Sequence, residues 1–292
     1  MIAVAHGSRD PRSAATMAAV VAEIAAARPD LDVRLAFLDL SAPSVEQVVD
    51  AVAAQGHTHV VVAPLLLGSA FHARSDLPAL LDAARAGHPQ LRITQAEVLG
   101  PDPRLVEALR DRVLESAPEA VSRHSDHVRF ADLAGPGAAA QSLDAARQLD
   151  TAQDPRTARR PDAARQLGNP RSLGTARRLG VAVAAVGSSS AAANARSADV
   201  ARRLALLTGW HTEICFATTE PSVTEAISRL RARGAGDVLV APWFLAPGLL
   251  TDRLAALAPD LVHANVIGPH AALTGIVWDR YDAAATTLAL SA

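Results

Sequence analysis

The chain reads as an α/β protein built from two tandem parallel-sheet halves, and three observations predict it. Short β-branched runs alternate with helical periodicity from Met1 to about residue 117, the pattern of a doubly wound parallel sheet. The same signals return in the same order after residue 178. Between the two lies a stretch with no sustained apolar period.

Each element of the first half has its own signal. Residues 2–5 form a very short strand, after which Gly7 and Ser8 turn the chain and Pro11 suits a first helical turn. A helix over 11–28 stops at Pro29-Asp30, and 33–38 is a second strand ending at Asp39. Pro43-Ser44 opens a second helix with Val45, Val48, Val49 and Val52 at helical spacing, closing near Gly56. The run 59–63 is β-branched throughout, as in a strand buried on both faces. A helix over 75–86, a strand over 91–98, the turn Gly100-Pro101 and a helix over 103–116 complete four β-α units.

Residues 118–178 differ in character. Asp144-Ala145-Ala146-Arg147-Gln148-Leu149 recurs as Asp162-Ala163-Ala164-Arg165-Gln166-Leu167, a low-complexity repeat expected to be a disordered linker. Beyond it, Val186-Gly187-Ser188 stands where the first half has His6-Gly7-Ser8, and Pro221-Ser222-Val223 where it has Pro43-Ser44-Val45. Pro242-Trp243-Phe244-Leu245 matches Pro64-Leu65-Leu66-Leu67, and Gly268-Pro269 matches Gly100-Pro101. Four matches in one order imply internal duplication. The domains are therefore 1–117, a linker over 118–178, and a degenerate repeat over 179–292 that forms the other side of a cleft.

Composition narrows the function. A chain of 292 residues with 50% hydrophobic content buries a sizeable core. Net charge is −2 and aromatics are 3%, so neither a basic stripe nor a base-stacking platform is present. All 28 basic residues are Arg, which leaves guanidinium forks as the anion-binding groups. Cys215, in a strand-like run, reads as a buried small hydrophobe; one cysteine allows no disulfide framework within the chain and no thiolate cluster. The chain opens straight into a strand and contains no run of about 18 apolar residues. The expectation is a cytoplasmic protein that works without nucleic acid or membrane, a monomer being the simpler state because two fused halves can form a cleft in one chain.

Two histidines carry the chemistry. His6 follows the first strand and His72 follows the third, so both belong at the carboxyl edge of a parallel sheet, where ligands bind. Two imidazoles over one crevice suit a transition metal. Other histidines fit blander roles. His57 and His59 sit at the start of a strand, hence at the opposite edge, and His124 and His127 lie in the low-complexity stretch. Trp243 is expected in the core or on the wall of the cleft.

The segments Ala5-His6-Gly7-Ser8-Arg9 and Pro64-Leu65-Leu66-Leu67 through His72 to Asp76-Leu77-Pro78 resemble the class II chelatases of the CbiX/SirB type. The resemblance covers both halves and omits the insertion. It implies two flavodoxin-like domains and a lyase activity, the insertion of Fe2+ or Co2+ into sirohydrochlorin in siroheme or cobalamin synthesis. It also implies that His6 and His72 handle the metal, and that Asp39, in Phe37-Leu38-Asp39, stands where the family often has Glu. Ser8, Arg9 and Arg74 would grip the carboxylate arms of the macrocycle. The divalent metal, with Ni2+ a further candidate, is substrate and no cofactor is permanently bound. The alternative is a non-catalytic tetrapyrrole or metal carrier that uses the same cleft. A phosphohistidine enzyme fits less well, since the Arg that precedes such a His is here Ala5.

Overall fold

A computed structural model of the chain describes residues 1–68, 76–100, 102–133 and 178–290. The first half runs β1 (Ile2–Ala5), α1 (Pro11–Ala27), β2 (Arg34–Phe37), α2 (Val45–Ala54), β3 (His59–Pro64), α3 (Leu77–Gly87), β4 (Arg92–Gln95) and α4 (Pro103–Leu133). The second repeats it as β5 (Arg178–Ala185), α5 (Ala191–Thr208), β6 (His211–Phe216), α6 (Val223–Ala232), β7 (Ala235–Pro242), α7 (Leu249–Leu257), β8 (Val262–His263) and α8 (Ala271–Leu290). All pairings are parallel. The strand orders are β2-β1-β3-β4 and β6-β5-β7-β8, the order of the flavodoxin-like class of doubly wound sheet.

Local chemistry sets the helix starts. Asp10 caps α1 by accepting from the Arg12 amide, with Pro11 in the first turn. Ser44 and Gln47 form a capping box on α2, and Ser222 caps α6 at the corresponding place. The peptide bonds before Pro43 and Pro221 are both cis.

Strand alternation sorts side chains into layers. Ile2 and Val4 face α2 and α3, while Ala3 and Ala5 face a core that also holds residues of α1, α4, α5 and α8. In the second half Ala182 and Ala184 face α6 and α7, while Val181, Val183 and Ala185 face that same shared core. Residues Met1–Ala120 and Arg178–Ala292 accordingly make one compact unit.

The helix expected over 103–116 continues through Pro118 to Leu133. Residues 119–133 contain neither Gly nor Pro, the strongest helix breakers, and the next glycine is Gly135. His124 and His127 fall on this extension, beyond the side chains described.

The last helix crosses over. α8 packs on α1 and on β3 and β4 of the first sheet, with Trp278 Nε1 donating to the Ile24 carbonyl (3.2 Å). The Arg28 guanidinium lies 4.4 Å from the Trp278 ring centroid and grips Asp282 through two 2.6 Å bonds. Arg280 donates to the Val98 carbonyl (3.3 Å). Its counterpart on α4, Arg112, donates to Ile267 and Pro269 of the second half (2.8 and 2.6 Å).

Candidate functional site

The site begins where β1 ends. Ala5 is in register with Phe37, and beyond the strands the Asp39 amide donates to the His6 carbonyl (3.0 Å). His6 and Asp39 are thus side by side at the carboxyl edge because two parallel strands end together. The turn between them is tight: Gly7 has φ 94°, and a Cβ on it would stand 1.7 Å from the Asp39 carbonyl oxygen. Glycine is the residue that fits.

His6 is half-buried, with Nδ1 3.2 Å from the Gly7 carbonyl oxygen. A carbonyl only accepts, so this contact is a hydrogen bond when Nδ1 carries the hydrogen. Asp39 is exposed, and its Oδ1 accepts from the Leu40 amide (2.7 Å). Both residues line an open depression of about 460 Å³ together with Leu38, Asp76, Ala79, Leu80 and Ala83. The last four come from the start of α3 and its first turns, spaced so that they share one helix stripe.

Asp76 belongs to the chelatase-like segment of the sequence, where no role is expected of it. It stands at the N-cap position of α3, yet its side chain makes no capping hydrogen bond, and it lines the depression with His6 and Asp39. Only the tertiary fold brings it there.

His72 and Arg74, singled out by sequence, lie outside the described residues. The segment that carries them follows Leu65, whose amide donates to Val4 on β1 (2.7 Å), and the described chain resumes at Asp76, which lines the depression. Both described ends are at the edge that holds His6. β1 and β3 are adjacent, with β1–α1 and β3–α3 on opposite faces of the sheet. This is the switch point where open α/β sheets bind ligands.

Ser8 is committed to the loop itself. Its amide donates to the Ser41 hydroxyl (3.1 Å), its carbonyl accepts from that hydroxyl (2.9 Å), and its own Oγ accepts from the Asp10 amide (3.1 Å). Arg9 is exposed and has no ion-pair partner among the described residues. Asp10 is nearly buried, and hydrogen bonds from Arg12 hold its carboxyl below the usual carboxylate range. Among the described residues no group of three His, Cys, Asp or Glu is disposed to hold a metal ion.

The second half keeps the frame without these groups. Registers place Val186 at the His6 position and Thr218 at that of Asp39: Thr218 donates its amide to Val186 (3.0 Å) as Asp39 does to His6. Trp243 takes the Leu65 position, its amide donating to Ala184 (2.7 Å), and is buried in the shared core. His57 and His59 are exposed at the opposite edge of the first sheet. Cys215 is buried, and desolvation pushes its thiol up to about 12.

Known proteins share this architecture. The family model described as CbiX matches residues 1–116 and 180–284. The chain is similar to a sirohydrochlorin ferrochelatase of Priestia megaterium, 35% identical over 126 residues that make up 42% of this chain and 45% of that protein. It is also similar to a sirohydrochlorin cobaltochelatase of Methanothermobacter thermautotrophicus, 30% identical over 128 residues, 39% of this chain and 89% of that one. The matched region is thus less than half the length of the ferrochelatase. Among solved structures, SirB from Bacillus subtilis with Fe3+ superposes with a TM-score of 0.66 at 21% identity, over 99% of this chain and 96% of that one. At that identity the likeness concerns the fold.

Proposed function

Because the chain belongs to the CbiX family, we propose that it inserts Fe2+ or Co2+ into sirohydrochlorin, with His6 and His72 handling the metal. The observation that supports this most is the shared depression, which joins His6 and Asp39 to Asp76, four residues after His72 in the chain. Insertion requires water to be stripped from the metal and two pyrrole protons to be accepted. Neutral imidazole, with a lone pair on one ring nitrogen, suits both tasks. Few protein ligands suit a metal that must leave for the macrocycle, whereas a closed four-ligand cage would retain it.

Charge orients the substrates. Asp39 and Asp76 line the depression, and carboxylates there favour the approach of a cation. Arg9 and Arg74 are the guanidinium groups for the carboxylate arms of the macrocycle, and Ser8 contributes by building the loop that presents Arg9. Asp39 is one methylene shorter than Glu and acts as the carboxylate beside His6. Ni2+ is a further candidate metal, with no permanently bound cofactor.

We read 1–117 as the domain carrying the histidines, 118–178 as a linker and 179–292 as the degenerate repeat. The chain is read as a cytoplasmic monomer. That reading draws on its sole cysteine, which suits a reducing compartment, and on the two fused halves, which can form a cleft within one chain; among the described residues no helix is long and apolar enough to cross a membrane.

The test is anaerobic incubation of the protein with sirohydrochlorin and each metal in turn, followed by absorbance. More than one equivalent of metallated product per chain is expected with Fe2+ or Co2+, and a single stoichiometric equivalent would identify a carrier instead. His6→Ala and His72→Ala should each lower turnover about 10²-fold with the fold intact; parent-like rates in both would overturn the assignment.

A further inference from the structure

The second half has lost the residues corresponding to His6 and Asp39, yet it touches the loop that carries His6. Gly248, at the start of α7, lies against that loop: a Cβ on it would meet Ser8 Oγ at 3.7 Å and Asp10 Cβ at 4.0 Å. One turn further, Asp252 accepts from Arg12 NH2 at 2.5 Å. Arg12 also holds both oxygens of Asp10, through Nε at 3.1 Å to each and through NH2. Asp10 in turn caps α1 and holds Ser8 through its amide. A continuous set of bonds therefore runs from α7 of the second half, through one guanidinium, to the loop Gly7–Asp10.

The duplication supplies an internal control. The position of Arg12 in the second half is Ala192, counted from the matching N-caps Asp10 and Ser190. Counted from the matching C-caps His88 and Ala258, the position of Asp252 in the first half is Asp82, which pairs instead with Arg85 of its own helix. A molecule with approximate internal two-fold repetition thus builds this link once, on the side that holds the histidine.

We propose that Arg12 is a positioning residue, through which Asp252 of the second half fixes the loop that presents His6 to its substrates. This rests on the metal-handling reading of His6. Arg12 touches neither metal nor macrocycle in the proposal; it acts by holding Asp10 and hence the loop. Misplacement of a reacting group by about 1 Å costs up to 10²-fold in rate, so loosening such a link is expected to lower kcat while leaving the macrocycle KM close to the parent.

The experiment uses the full chain with substitutions at two exposed positions, Arg12→Ala and Asp252→Ala, each 53% exposed in its side chain, so that folding tolerates them. Each is expected to lower kcat for Co2+ insertion about 10-fold, with the double variant no worse than either single one because both act through one link. Asp252→Glu should recover most of the loss. An exposed ion pair contributes little to global stability, so thermal unfolding should stay within a few degrees of the parent in all variants. In a His6→Ala background, Asp252→Ala should have no further effect. Parent-like kcat in Arg12→Ala and Asp252→Ala, alongside an inactive His6→Ala, would sink the positioning role and leave the function standing. An active His6→Ala would remove the reading on which the proposal rests.

Discussion

Gly7 decides whether His6 and Asp39 can stand together. Its φ of 94° is unfavourable for any side chain, and its missing Cβ leaves room for the Asp39 carbonyl. The second half keeps the device, with Gly187 at φ 91° beneath the hydroxyls of Thr218 and Thr219. The turn is thus a property of the scaffold, and the histidine is an addition to one copy. Gly7→Ala is expected to destabilise the protein by about 3 kcal/mol or more, since strain and overlap with a backbone atom add. Turnover should fall at least about 10-fold as His6 and Asp39 are pushed apart. Gly187→Ala should also destabilise, because of its φ, but leave turnover of the folded fraction near the parent. Urea unfolding and initial rates measure both; equal activity loss in the two variants would show that the turn matters only for stability. His-Gly-Ser announces a turn in the sequence, whereas the partner of that turn, 32 residues on at Asp39, is visible only once β1 and β2 are paired.

The helix α8 shows what an element's sequence leaves open. Its apolar residues Leu273, Ile276, Val277 and Trp278 mark a helix that must bury a face. They do not say against which sheet, because both sheets of a duplicated protein present similar apolar surfaces. The choice of the first sheet is made by groups at the edges of the contact: Trp278 to Ile24, Arg28 to Asp282 and Arg280 to Val98. Arg104 of α4 meets Asp279 of α8 at 2.7 Å, and His270 at the start of α8 lies 3.5 Å from Asp111 of α4, so the two terminal helices cross with matching partners. Trp278→Ala removes a buried aromatic ring that holds both a hydrogen bond and a guanidinium, and is expected to cost about 3–5 kcal/mol. Chemical denaturation of the variant measures this; a loss under about 1 kcal/mol would mean that the ring is dispensable to the crossing.

At the scale of the molecule, the crossing makes the halves interdependent. A first half produced alone lacks α8 and exposes the surfaces of α1, β3 and β4 that it covers, an apolar face that invites aggregation. Residues 1–133 and 178–292 should therefore be poorly soluble when expressed singly and should co-purify as a stable pair when expressed together; a monomeric first half with its own cooperative unfolding would contradict this. The sequence by itself determined the two parallel sheets, the duplication and the loss of His6 from the second copy, because strand period, helix period and turn residues are local signals repeated twice. It also placed His6 at a strand end, since a short β-branched run followed by glycine has one reading. The tertiary structure alone decided that Asp76 joins His6 and Asp39, that Arg12 reaches Asp252, and that α8 leaves its own sheet for the other. These are contacts between residues distant in the chain, chosen by complementary shape and charge among several surfaces of equal hydrophobicity, and no local period encodes that choice.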